Sequence, residues 1–133
     1  MKYLLLILIS LLLLSSPVIG NSHKGETLYG WGECCKVEDY VWKGFGDKDT
    51  HPKYKGEVEN GVPNGLGFLI YPDGSRYVGS WKNGTFHGKG KMIYSDGGKY
   101  VGESKDGEWW NGTYYDENGI IIYKKVNGET MDP

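Results

Sequence analysis

The chain has 133 residues, enough for one small domain, and carries 15 basic and 17 acidic residues for a net charge of −2. A mildly acidic balance argues against a dedicated nucleic-acid binder, so we expect no nucleic-acid partner. Glycine is abundant at 22 residues, but 11 tyrosines and 5 tryptophans accompany it. Flexible Gly-rich linkers lack such aromatic content, so we expect a folded chain.

Residues 1–20, MKYLLLILISLLLLSSPVIG, have the layout of a secretory signal peptide. Lys2 precedes an apolar run from Leu4 to Leu14, and Val18 and Gly20 suit cleavage after Gly20. This interpretation predicts export to the periplasm, the cell envelope or the secreted space. An uncleaved membrane anchor is the alternative, because residues 3–19 approach the length that spans a bilayer.

The two cysteines, Cys34 and Cys35, are neighbours in the sequence. Adjacent cysteines cannot join distant segments, and a bond between them requires distorted geometry. Three states remain open: two reduced thiols, a strained vicinal disulfide, or bonds to another chain. The last would make an oligomer.

Residues 21–52 form an N-terminal segment in which Tyr40-Val41-Trp42 and Gly44-Phe45-Gly46 resemble a compressed, degenerate copy of the pattern that follows. We expect this segment to pack on the first repeat. Specifically, Trp31 and Trp42 are predicted to cover Leu66, Phe68 and Ile70, because three exposed apolar side chains on one face are a liability.

A 23-residue pattern repeats from residue 53. Residues 53–75 and 76–98 align without a gap, and a third copy, 99–119, is one residue shorter, so that Gly112 takes the place of Gly90. The columns shared by the first two copies are Tyr54/Tyr77, Gly56/Gly79, Asn60/Asn83, Gly61/Gly84, Gly65/Gly88, Gly67/Gly90, Ile70/Ile93, Tyr71/Tyr94, Asp73/Asp96 and Gly74/Gly97. A fixed period of this length indicates a repeat architecture.

Asp-Gly and Asn-Gly pairs divide each copy into short runs, which we interpret as antiparallel strands joined by type I′ turns. Alternation then places Tyr77, Gly79 and Trp81 on one face and Val78 and Ser80 on the other. Glycines within the strands make room for aromatic rings lying over the backbone.

The motif Tyr-x-Gly-x-Trp-x-x-Gly-x-x-x-Gly-x-Gly, followed by a strand and Asp-Gly, resembles the MORN repeat (membrane occupation and recognition nexus). Residues 77–97 match it fully, whereas Val58 and Ser104 replace the tryptophan in the flanking copies. The resemblance implies an all-β fold, an elongated, twisted antiparallel meander of β-hairpin repeats. It also implies a binding or scaffolding role, with lipid for some members and protein for others.

After the repeats, residues 120–126 are predicted to form a closing strand, and residues 127–133 a C-terminal tail. Lys124 and Lys125 on that strand should discourage further pairing. The terminal strand is the second route by which the chain could form an oligomer.

No arrangement of side chains in the sequence predicts catalysis, a cofactor or a metal. Asp73 and Asp96 precede glycines in corresponding turns, which favours a structural role. His23, His51 and His87 lack partners at catalytic spacing, and His87 is expected in an exposed loop because it occupies the column of Asn64. We therefore expect a chain that is not an enzyme.

The function predicted from these residues is a non-catalytic binding or scaffolding module that engages a protein partner. Trp and Tyr are favoured at protein interfaces, and surface lysines could contribute. The predicted binding residues are Tyr77, Trp81, Tyr100, Trp109, Trp110, Lys89 and Lys91. The alternative is peripheral binding to an anionic membrane surface, led by Lys89 and Lys91 with Lys53, Lys55, Lys124 and Lys125.

Overall fold

The computed structural model describes residues 22–33 and 36–133. Ten antiparallel strands in these residues form one sheet in the order β10-β9-β8-β7-β6-β5-β4-β3-β1-β2. The elements are β1 Ser22–Trp31, a short 3₁₀ helix Val37–Asp39, β2 Val41–Lys43, β3 Lys53–Glu59, β4 Val62–Ile70, β5 Arg76–Lys82, β6 Thr85–Ile93, β7 Lys99–Lys105, β8 Glu108–Tyr115, β9 Ile121–Val126 and β10 Glu129–Met131. The predicted all-β antiparallel meander of hairpin repeats is confirmed.

Each repeat is one hairpin, and successive hairpins pair in the same register. Gly67 lies opposite Gly79 between the first two repeats, and Gly90 lies opposite Gly102 between the next two. Within the third repeat Gly102 pairs with Gly112. The glycine columns of the sequence are therefore rows that cross the sheet.

Two kinds of turn alternate, and the predicted turn type is correct for one of them. Asn60-Gly61, Asn83-Gly84, Asp106-Gly107 and Asn127-Gly128 are two-residue loops in which both residues have positive φ, as a type I′ turn requires. The type I′ prediction is wrong for Asp73-Gly74 and Asp96-Gly97, because Gly74 and Gly97 have positive φ but Asp73 and Asp96 do not. Instead, the Asp73 carboxylate accepts the backbone N–H of Ser75 at 2.8 Å, which fixes a longer loop.

Hydrogen bonds between neighbouring hairpins hold three of the four type I′ turns. The backbone N–H groups of Asn83, Asp106 and Asn127 donate to side chains of the preceding hairpin, namely Asn64 Oδ1, His87 Nδ1 and Asn111 Oδ1, at 3.2, 3.2 and 2.8 Å. The prediction that His87 lies in an exposed loop is thus wrong. It is a half-buried strand residue whose ring nitrogen holds the next turn.

The N-terminal segment extends the sheet instead of covering its apolar side chains. β1 pairs with β3 and carries β2 on its other edge. Leu66, Phe68 and Ile70 stay 65%, 36% and 38% exposed, so the prediction that Trp31 and Trp42 cover them is wrong. Backbone pairing of β1 with β3 sets the position of this segment, and in that position the segment leaves the face that carries Leu66, Phe68 and Ile70 exposed.

Trp42 packs on the opposite face of the sheet. Its ring meets those of Tyr54 and Trp81 edge-on at 5.9 and 5.8 Å, and its indole N–H donates to the Gly84 carbonyl at 3.1 Å. The N-terminal segment therefore contributes to the aromatic core of the first two repeats.

The C-terminal end also differs from the prediction. Residues 120–126 do not close the sheet, because β9 continues through the Asn127-Gly128 turn into β10, which lies within the predicted tail. This is a shortened fourth hairpin. The predicted signal peptide, residues 1–20, and the pair Cys34 and Cys35 lie outside the described residues.

Candidate functional site

A row of tyrosines forms the centre of one face, here called the inner face. Tyr54, Tyr77 and Tyr100 occupy one column of the repeats, and each is 0% exposed. Their hydroxyl groups donate to the carbonyl three residues later, at 2.6 to 3.0 Å. A phenol with a satisfied hydroxyl and a buried ring is a core element.

Each of these rings lies over a glycine on the adjacent strand. A Cβ placed on Gly90 would come within 2.5 Å of two ring carbons of Tyr77, and one on Gly112 within 2.5 Å of Tyr100. Glycine at these positions therefore leaves the space that the ring occupies, as the sequence pattern predicts.

The tryptophans of the inner face join this core. Trp81 is 3% exposed, and its ring meets that of Phe86 at 4.8 Å. Trp109 stacks on Tyr100 at 4.3 Å and lies parallel to Phe86 at 5.7 Å. Aromatic contacts therefore connect the hairpins from the first repeat to the third.

Burial corrects three of the predicted binding residues. Tyr77, Trp81 and Tyr100 are in the core and offer no surface to a partner. Burial also raises the pKa of Tyr77 and Tyr100 to about 12 each, because it disfavours the charged phenolate. Sequence alternation assigned them correctly to one face but could not tell that this face is buried.

The adjacent tryptophans Trp109 and Trp110 do not lie together. Trp109 packs against the core, whereas the ring of Trp110 carries the Lys105 ammonium group 4.6 Å from its centroid and lies against Gly128. Trp110 therefore packs on the type I′ turn of the fourth hairpin. Both tryptophans are half-buried, and as binding residues they stay predictions.

The opposite face, here called the outer face, presents two adjacent rows of side chains defined by the strand register. The Arg76 row reads Lys53, Ile70, Arg76, Ile93, Lys99 and Tyr115, and the Lys91 row reads Lys55, Phe68, Val78, Lys91, Val101, Thr113 and Lys124. Each row contains three cations and no carboxylate. Phe68, Val78 and Val101 are 36%, 51% and 41% exposed, so apolar and basic side chains share one open surface.

The lysines predicted from the sequence lie in different surroundings in the structure. Lys91 lies among apolar neighbours in its row, whereas Lys89 lies directly opposite Glu103, a position at which opposite charges compensate. Lys125 pairs with Gly112, which places it on the inner side. Arg76, Lys99 and the apolar members of the rows were missed as site residues, although strict alternation in the repeats carries the signal.

Carboxylates appear on the same face closer to the type I′ turns. Glu57 and Glu59 follow Lys55 by alternation on β3, and Glu108 pairs with Lys105. The two rows are thus the part of the outer face where positive charge is not compensated.

Residues 22–33 and 36–133 contain no group of three His, Cys, Asp or Glu side chains placed to hold a metal ion. Within the same ranges, no helix is long and apolar enough to cross a membrane.

Comparison with protein families supplies the decisive observation about the repeats. The family model for the MORN repeat matches residues 54–76 and 77–99. The chain therefore contains two MORN repeats. The matched units are the β3–β4 and β5–β6 hairpins, one residue displaced from the copies defined by sequence alignment. A search of curated proteins finds no match.

MORN repeats are non-catalytic modules known for binding and scaffolding roles. The third MORN-like hairpin, β7–β8, keeps Tyr100 over Gly112 but has Ser104 in the column of Trp81. Trp109 of the next strand packs on Tyr100 and Phe86 near that column.

Proposed function

We propose that this MORN-repeat protein is a non-catalytic binding module that places the Arg76 and Lys91 rows of its outer face on an anionic membrane surface. The observation that carries the proposal is the composition of those rows: three cations each, no carboxylate, and exposed apolar side chains between the cations.

Electrostatics supports this choice in spite of the net charge of −2. Each basic residue held near an anionic surface contributes about 1 kcal/mol, and the contribution falls off within a Debye length. The six cations of the rows lie together on the outer face, whereas the glutamates of that face lie closer to the type I′ turns and Asp73, Asp96 and Asp116 lie in loops at the strand ends. The two rows therefore act through their local charge.

Exposed apolar side chains add a second contribution. Phe68 and Val78 are neighbours in the Lys91 row and Val101 follows on the other side of Lys91, so all three lie on the outer face beside the cations. Partial burial of such groups at the level of lipid headgroups is favourable at about 25 cal/mol per Å². Basic and apolar residues on one surface are the combination that interfacial binding uses.

Binding to a protein partner, the first hypothesis from the sequence, stays a prediction, but it loses three of its predicted aromatic binding residues. Tyr77, Trp81 and Tyr100 cannot serve it, because they are buried. Export with cleavage after Gly20 is part of the proposal and rests on residues 1–20 of the sequence alone.

Co-sedimentation with lipid vesicles tests the proposal. Residues 21–133 are used, because the apolar run at residues 4–14 would itself bind lipid. We expect the protein to pellet with vesicles that contain phosphatidylserine, to stay in solution with pure phosphatidylcholine, and to lose binding as salt is raised. Absence of binding to the anionic vesicles at low salt would overturn the proposal and return attention to a protein partner.

A further inference from the structure

A cavity of about 180 Å³ opens on the inner face, opposite the rows proposed to bind lipid. Four of its lining residues are aromatic, and they come from distant parts of the chain. The lining consists of Val37, Tyr71, Asp73, Ser75, Phe86, Met92, Tyr94, Gly107 and Trp109. Ligand pockets for whole small molecules enclose roughly 300–1,000 Å³, so this cavity suits one chemical group and not a complete ligand.

The walls of the cavity are aromatic, and the charged groups in and beside its lining are carboxylates. Tyr71, Phe86, Tyr94 and Trp109 supply the rings. Asp73 contributes a carboxylate to the lining, and Glu38 lies next to the lining residue Gly107. None of the nine lining residues, all within the described ranges, is basic.

The tyrosines contribute as neutral aromatic groups. Burial raises the pKa of Tyr94 to about 12 and that of Tyr71 further, with Asp73 and Glu38 adding to the effect on Tyr71. A neutral ring carries a negative face that attracts cations, and nearby carboxylates strengthen the attraction.

We propose that this cavity binds an alkylammonium group. Aromatic side chains around a small space, with carboxylates at its rim, are the arrangement that recognises organic cations, and the cavity is too small for more than the cationic group itself. The group could belong to a lysine side chain or to a quaternary ammonium headgroup. Because the cavity and the two cationic rows lie on opposite faces, both sites can be occupied at once, and this inference does not depend on membrane binding.

The experiment is a titration of the protein with three probes of different charge and shape. Tetramethylammonium represents the quaternary headgroup, n-butylammonium represents the lysine side chain, and tert-butanol is a neutral control. The readout is the indole N–H resonance of Trp109 in ¹H–¹⁵N spectra, assigned by its loss in Trp109→Phe. We expect a saturable shift with at least one ammonium probe and none with tert-butanol, and the tighter of the two probes identifies the source of the group.

Charge variants make the result specific to this site. Glu38 is exposed, so Glu38→Gln leaves the core intact. It is expected to weaken ammonium binding roughly threefold, whereas Glu129→Gln on β10, the matched control, leaves it unchanged. Absence of a saturable shift with both ammonium probes, an equal shift with tert-butanol, or equal effects of Glu38→Gln and Glu129→Gln would each overturn the inference.

Discussion

The ring of Tyr77 lies on the backbone of Gly90, at the point where β5 and β6 pair through Gly79 and Gly90. The same relationship recurs between Tyr100 and Gly112. It explains why a sheet with glycine inside its strands is stable: the tyrosine fills the space above the glycine, and its hydroxyl returns to the backbone of its own strand.

Gly90→Ala should therefore be strongly destabilising. Its Cβ would overlap Tyr77, and overpacking of this kind costs about 1–3 kcal/mol. Urea unfolding followed by circular dichroism measures the change in the free energy of unfolding. Gly44→Ala is the control, since a Cβ there meets nothing within 4 Å. Equal stability of the two variants would contradict the account of the tyrosine row.

Alkaline pH should unfold the protein through its tyrosines. The pKa of Tyr77, Tyr94 and Tyr100 is raised from 10.0 to about 12, so the unfolded chain loses these protons first. The stability that depends on the neutral phenols is complete below pH 10 and is lost as the pH rises from 10 through 12. Tyrosinate absorbance and circular dichroism should change together over that window. Full ionisation of the tyrosines near pH 10 with the sheet intact would refute this prediction.

A hydrogen-bonded serine connects the loops of the first two repeats. The buried Ser75 hydroxyl donates to Asp73 at 3.1 Å and accepts the backbone N–H of Ser95 at 3.0 Å. Ser75→Ala leaves that amide without its acceptor, which should lower the free energy of unfolding by about 1–3 kcal/mol. Ser80→Ala on the outer face is the control, and it should lower the free energy of unfolding by less than about 0.5 kcal/mol, as surface substitutions usually do. Urea unfolding of the two variants measures and compares their free energies of unfolding.

The fourth hairpin should depend on Asn111. Its Oδ1 accepts the Asn127 N–H at 2.8 Å, and Asn111→Ala removes that acceptor. We expect hydrogen exchange at Asn127 to accelerate roughly fivefold, in keeping with a loss of about 1 kcal/mol, while amides of β5 are unchanged. Asn118→Ala, in an exposed loop, is the control. Unaltered exchange at Asn127 in Asn111→Ala would show that the backbone bond from Gly128 to Trp110 suffices.

The sequence predicts the repeated hairpins well, because glycines, tyrosines and Asn-Gly turns recur in it with one period. Only with that shared period can each tyrosine ring lie over the backbone of a glycine on the next strand. It does not predict β1, since Ser22–Trp31 has no clear alternation and pairs through its backbone. The hairpin at Asn127-Gly128 could have been found, because that pair repeats the turn signal of Asn60-Gly61.

The functional surfaces are harder to predict for a different reason. In a sequence, an aromatic residue such as Trp81 suggests an interface. In the structure Trp42, which is 39 positions earlier, packs on Trp81 and helps to bury it, and such a tertiary contact is not visible in the sequence pattern. The cavity is likewise lined from Val37 to Trp109. Neither arrangement is contained in a single repeat.

The measurement that tests the central claim most directly compares two triple variants of equal charge in the vesicle assay. Lys55→Gln, Lys91→Gln and Lys124→Gln neutralise one row of the outer face, whereas Lys36→Gln, Lys48→Gln and Lys125→Gln remove the same charge elsewhere. At about 1 kcal/mol per residue, the first variant should lose roughly a hundredfold in affinity for anionic vesicles, and the second much less. Equal losses in the two variants would show that net charge, and not this face, determines binding.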